Sequence, residues 1–170
     1  LEKSNFNKFP QISISAYTAV AGWEAISETI KDKIQSGSRT KTIVVLDTYH
    51  GVYLDEVLDH LKVGQTPAST FDVSTAFLDP DQLEKLVYPF ITDDPVFGYV
   101  TTLELASFFD PEKMENLRKE IAASPEKVVL VAGIGASVIV PDADMLLYAD
   151  MPRWEIQLRF RNNKISNLAT

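Results

Sequence analysis

The sequence predicts a three-layer α/β domain built on a mainly parallel sheet. Three observations carry that expectation. First, Thr42-Ile43-Val44-Val45-Leu46, Val128-Val129-Leu130-Val131-Ala132 and Met145-Leu146-Leu147-Tyr148-Ala149 are continuous apolar runs, too short for helices and without alternation. Strands buried on both faces of a parallel sheet read this way. Second, segments of helical period with capping signals lie between the runs. Third, the 170 residues are 45% hydrophobic and 24% charged, an ordinary globular composition. That length suffices for one domain with a real core.

Charge and composition exclude several function classes. The formal charge of -8 argues against nucleic-acid and membrane-surface binding, both of which need a basic face. No apolar run approaches the ~18 residues of a membrane span. With no Cys there is no disulfide framework, zinc ribbon or thiol chemistry. Leu1-Glu2-Lys3-Ser4 is not a secretory signal, so a cytoplasmic location is expected. The chain does not begin with Met, and a longer parent protein is expected.

Residues 1–22 read as an irregular N-terminal arm, held by aromatic anchors at Phe6 and Phe9; residues 23–170 read as a single domain. Trp23, Ile26, Ile30 and Ile34 recur at helical spacing. Ser36-Gly37-Ser38 stops that helix, with Gly37 suited to the left-handed position. The first apolar strand follows, then the turn Asp47-Thr48-Tyr49-His50-Gly51. A helix carrying Leu54, Val57, Leu58 and Leu61 comes next, ended by Gly64. Ala68 to Val73 is a weaker strand signal.

Asp79-Pro80-Asp81-Gln82 has the capping-box pattern with Pro in the first turn, and Tyr88-Pro89 closes that helix. Phe90 to Phe109 is aromatic, with helix expected near Leu103 to Phe108. Asp110-Pro111-Glu112 starts a helix bearing Met114, Leu117 and Ile121. In Trp154 to Arg161 apolar and polar residues alternate, which by period alone is a strand. Pro152 and good helix formers favour a helix instead.

In open α/β sheets ligands bind at the carboxyl ends of the strands. Asp47 to Gly51, Asp72 to Phe77 and Gly133 to Ser137 should meet there. Gly133-Ile134-Gly135 lacks the third glycine of a dinucleotide fingerprint, and Val138-Ile139-Val140-Pro141 does not look like a helix start. A tight backbone path is the expected role. The turn after the first strand has only Gly51 and no Lys before Lys62, so it does not form a Walker A loop.

His50 and His60 are the only histidines, too few for a zinc or iron centre, and His60 suits a helix end. Asp47 closes a buried strand, where a general base or metal-holding carboxylate would stand. The competing role is to accept N–H bonds in its own turn. Asp72, Asp79, Asp81, Glu84, Asp93 and Asp94 read mainly as caps and a solvated face. Arg153, Arg159, Arg161 and Lys164 form a basic patch, able to clamp phosphate or dock on an acidic surface. The best ligand-binding candidates are Asp47, Tyr49, His50, Gly51, Arg159 and Arg161, acting on a small phosphorylated ligand.

Two resemblances follow. Val128 to Ala136, Ala143 to Pro152, Arg159 and Arg161 together resemble the C-terminal half of uridine-kinase-like P-loop kinases. There a strand ending in Glu-Gly precedes a strand ending in Asp-x-Pro and an Arg-bearing lid helix, which supports a helix after Pro152. Here Ala132 stands in place of the Glu, and only Asp72 loosely matches the acidic residue after the second strand. This resemblance implies a P-loop-kinase-like fold.

Asn5-Phe6-Asn7-Lys8-Phe9-Pro10, Gly22 to Ile26, Val45 to Gly51, Asp150 to Gln157 and Arg159-Phe160-Arg161 are similar to the N-terminal region of long class I mannose-6-phosphate isomerases of gut-type bacteria. In those chains a degenerate nucleoside-kinase-like domain precedes a cupin domain.

That second resemblance implies an accessory or regulatory domain of a sugar-phosphate isomerase, with no catalysis and no cofactor of its own. Isomerase chemistry there needs a Gln-x-His pair plus Glu and His on a β-barrel, and this sequence has no Gln-x-His. A divalent metal such as zinc would belong to a downstream cupin-type isomerase domain, the expected partner. Two rivals stand beside this reading. One is an active phosphotransferase, with Asp47 or Asp72 holding magnesium and Arg159 and Arg161 stabilising transferred charge. The other is a purely structural docking domain.

Overall fold

Four strands, β1 (Thr42–Thr48), β2 (Ala68–Asp72), β3 (Val128–Gly133) and β4 (Met145–Ala149), form one parallel sheet in the order β2-β3-β1-β4. The computed structural model describes residues 6–7, 9–12, 14–61, 68–94 and 98–168. α1 (Trp23–Ser36) precedes β1; α2 (Leu54–Leu61), α3 (Pro80–Val87), α4 (Pro111–Ala123) and the single turn α5 (Ala136–Ile139) lie between strands; α6 (Arg153–Arg161) follows β4. Short 3-10 turns cover Val73–Ala76, Tyr88–Phe90 and Leu105–Phe108.

The apolar runs are continuous in β1 and β3 because both faces are covered. Val44, Leu46 and Leu130 point to one side, against Ile30 and Leu61 of α1 and α2. Val45, Val129 and Val131 point to the other, against Val73, Phe109, Leu117, Ile121 and Ile139. This alternation across the pleat makes three layers. In register, Asp47 lies beside Gly133, and Asp72 beside Ala132. The carboxyl ends of β1, β2 and β3 therefore open on one side of the sheet.

The third apolar run does not behave like the other two. β4 is an edge strand: Met145, Leu147 and Ala149 face the α1–α2 layer, while Leu146 and Tyr148 are each 59% exposed. An unbroken apolar sequence does not by itself distinguish a covered face from an open one.

Capping follows the sequence signals. Gln82 Oε1 accepts from the Asp79 amide at 3.0 Å, and Asp110 Oδ1 accepts from the Glu112 and Lys113 amides at 2.9 and 3.0 Å. Lys41 donates to the carbonyls of Ile121, Ala122 and Ser124 at the end of α4, where cations are favoured. Gly37 ends α1, but with an extended backbone (φ -74°, ψ 139°) in place of the expected left-handed one. Its N–H bonds the Ile34 carbonyl, so no positive φ is needed. The proposed stop at Gly64 lies outside the described residues.

Residues 153–161 are helical, so Pro152 and intrinsic propensity outweigh the two-residue alternation. Ile156 is buried, whereas Trp154 is exposed. In the arm, the Phe6 and Phe9 rings are largely exposed. Among the described residues no helix is long and apolar enough to cross a membrane.

Candidate functional site

Above the carboxyl ends of β1, β2 and β3 lies a cleft of about 600 Å³. Thr48, His50 and Gly51 form one wall and Asp72, Ser74 and Thr75 another. Gly133 and Ile134 contribute from the end of β3, while Lys113 and Lys164 reach in from α4 and from the segment after α6. The three turns expected to meet thus do meet, but the six candidate ligand residues are not gathered in one place.

Asp47 is 7% exposed and does not line the cleft. Oδ1 accepts from the Gly135 amide at 3.0 Å, Oδ2 accepts from the Ser137 amide at 3.1 Å, and the Ser137 hydroxyl also donates to Oδ2. The carboxylate does accept backbone N–H groups, but from the turn after β3, not from its own. It is a tie between two strand ends. Gly135 has φ +80°, and the path through Gly133 (φ +129°) and Gly135 delivers these donors. That tight path is what the sequence suggests. The one-turn helix α5, at Ala136–Ile139, is not what the sequence suggests.

His50 and Gly51 line the cleft, and His50 stacks on Phe160 of α6 with ring centroids 5.4 Å apart. Tyr49 is 47% exposed, and its amide donates to the Ala149 carbonyl at 2.8 Å. Arg159 approaches the corner from the opposite side. Its Nη1 donates to the Gly51 carbonyl at 2.6 Å, its Nε bonds Glu155 at 3.2 Å, and its guanidinium lies 3.8 Å over the Tyr53 ring. Arg161 is exposed, near the Trp154 ring at 5.7 Å. The expected basic patch is therefore divided. Lys164 lines the cleft, while Arg159 lines a second groove.

The sequence pattern does not mark Lys113 as a site residue. Its ammonium donates to the Phe77 carbonyl at 3.1 Å and pairs with Asp79 at 2.7 Å. A cation in the first turn after the Asp110-Pro111 start was the available signal. Ser137, Phe160 and Tyr53, which fix Asp47, His50 and Arg159, gave no signal because each partner is distant in sequence. At the edge of β4, partial desolvation, followed by the charges of Asp150, Asp47 and Tyr49, raises the Tyr148 phenol above its ordinary pKa.

The corner between β1 and α2 does not fit a triphosphate. No Lys or Arg occurs from Thr42 to Leu61, and the first turn of α2 carries Asp55 and Glu56. Those carboxylates suit the helix dipole but repel an anion at the amides that would bind it. Among the described residues no cluster of His, Cys, Asp or Glu could hold a metal ion.

The parallel sheet order and the flanking helices make a three-layer α/β fold similar to that of P-loop kinases. Two solved structures share the fold. One is a "putative fructose transport system kinase" from Silicibacter sp. TM1040, 13% identical, with a TM-score of 0.55 over 86% of this chain and 85% of that one. The other is a "possible uridine kinase" from Bacillus stearothermophilus, 10% identical, with a TM-score of 0.53 over 83% of this chain and 89% of that one. The chain belongs to the family described as domain of unknown function DUF8485, which matches residues 22–170. No curated protein matches the sequence.

Proposed function

We propose that this unit is a kinase-shaped ligand-binding domain that does not transfer phosphate, and that it serves as an accessory or regulatory part of a sugar-phosphate isomerase chain. One observation supports the loss of phosphotransfer most strongly. From Thr42 to Leu61 the β1–α2 corner supplies no Lys of its own for terminal phosphates and no Ser or Thr in the first turn of α2 to hold magnesium. Its one half-buried guanidinium is already bonded to the Gly51 carbonyl and stacked on Tyr53.

The cleft retains polar groups suited to a small phosphorylated ligand: Lys164 and His50 for the anion, and Ser74, Thr75 and Asp72 for hydroxyls. The isomerase context rests on the sequence resemblance alone. The genomic sequence after Thr170 tests it: a Gln-x-His within a barrel-like strand pattern supports the context, and a stop codon removes it.

Calorimetric titration with ATP, with and without magnesium, and thermal melts with sugar phosphates test the binding role. A phosphosugar that raises the melting temperature by mass action, with no measurable ATP heat, is the expected outcome. Micromolar, magnesium-dependent ATP binding would instead favour the phosphotransferase reading, which the named activities of the two fold neighbours recommend as the rival. If neither compound class moves the melt, the unit is a docking domain.

A further inference from the structure

The cleft has one wall unlike the rest. Strand ends, the first turns of α2 and α4 and the 3-10 turn at Val73–Ala76 supply most of its lining. The remaining wall is the run Lys164-Ile165-Ser166-Asn167-Leu168, which belongs to no strand or helix. On the floor, Thr48 is 3% exposed, and no described residue bonds its hydroxyl. A buried hydroxyl of this kind calls for a partner inside the cleft.

The end of α6 sends the chain into that fifth wall. The Asn163 N–H donates to the Phe160 carbonyl at 3.0 Å, and the Lys164 N–H donates to the Arg159 carbonyl at 2.8 Å. This is the Schellman ending, with Asn163 in its left-handed position at φ 50°. Asn163 is the one residue other than glycine with a positive φ among the described residues. The chain reverses there and runs back along the cleft.

α6 is fixed in place. Arg159 bonds the Gly51 carbonyl, Phe160 stacks on His50, and Ile156 is buried. The amide of Lys164 is bonded to this fixed helix, so the lysine stands at the root of the run. Beyond it, two half-buried apolar side chains hold the run down. Ile165 Cδ1 lies 3.2 Å from where a Cβ on Gly51 would stand, beside Ile156. Leu168 packs on the core layer that contains Val73 and Phe109. A segment held mainly by a few side chains, outside the sheet and helices, can open without unfolding the domain.

We propose that residues 165–168 are a strap that lifts about Asn163 to admit a ligand to the cleft and settles over it, while α6 and Lys164 stay where they are. Ile165 and Leu168 are its two latches. This inference rests on the reading of the cleft as a ligand site.

The chain has no Cys, so spin labels on introduced thiols report single positions. Double electron–electron resonance on the full chain follows two pairs of exposed sites: Asn167→Cys with Glu84→Cys for the strap, and Arg153→Cys with Glu84→Cys for α6. Each is measured alone and with a millimolar hexose 6-phosphate. The strap pair should show two distances in the free chain and one with the sugar phosphate. The α6 pair should show a single distance throughout. Ile165→Ser with Leu168→Ser should leave only the open strap distance, with an unchanged circular dichroism spectrum. A single strap distance that neither the latch substitutions nor the sugar phosphate alters overturns the proposal. So does an α6 pair that moves with the strap. A raised melting temperature with unchanged strap distances refutes the strap and keeps the ligand site. Two strap distances that respond to the latch substitutions, with no effect of the sugar phosphate on distance or melt, keep the strap's movement and overturn the ligand reading.

Discussion

Asp47→Ala separates a structural carboxylate from a ligand-binding one. In the wild type this buried side chain takes two main-chain amides and one hydroxyl, joining the end of β1 to the turn after β3. Alanine leaves the Gly135 and Ser137 amides without their acceptor. An unsatisfied buried donor costs about 1–3 kcal/mol, so a loss of about 3 kcal/mol is expected for the pair. For a chain of this size each kcal/mol lowers the melting temperature by roughly 2–4 °C, which gives a fall of about 6–12 °C. Urea unfolding followed by circular dichroism measures the free energy, and calorimetry the melt. Asp47→Asn can still accept one N–H and should recover part of the loss. Because Asp47 does not line the cleft, ligand affinity measured on folded protein should stay within about two-fold of wild type, roughly 0.4 kcal/mol. A stability change below about 0.5 kcal/mol, the range of neutral surface substitutions, would refute this reasoning.

Arg159→Lys removes the fork that reaches Gly51 while stacking on Tyr53. It should cost about 1–2 kcal/mol and speed amide exchange at Gly51 to Tyr53, measured by hydrogen exchange. Gly135→Ala places a Cβ 2.9 Å from the Phe109 ring at φ +80°. A destabilisation of about 2–3 kcal/mol in urea is expected, and wild-type stability would show that the turn can relax. Lys164→Ala changes an exposed side chain and should leave the unliganded melting temperature within about 2 °C, since surface changes rarely exceed about 0.5 kcal/mol. The same variant should lose most of any phosphosugar-induced shift.

The central strands were legible because β1 and β3 are covered on both faces, so their sequences are apolar without interruption. The helix starts at Pro80 and Pro111 were legible because capping is local chemistry, fixed by residues within one turn. β4 was misread in burial, since the sequence of an edge strand does not record whether a layer lies over it. Gly37 was misread in conformation, since a helix can also stop by turning into extended chain. At the site, the convergence of three turns followed from parallel topology. The destination of each side chain did not. Asp47 bonds residues 88 and 90 positions away, and Arg159 bonds a carbonyl 108 positions away. No local pattern encodes such contacts, whereas the absence of Lys between Thr42 and Leu61 is visible in the sequence itself.

The most direct measurement is a 15N-edited NMR titration of the folded chain with magnesium ATP, following the amides of Tyr49 to Asp55. No saturable shift up to about 5 mM, weaker than about -3 kcal/mol of binding, is the expected result. Saturation at micromolar concentration, with the largest shifts at Gly51 and the first turn of α2, would contradict the account.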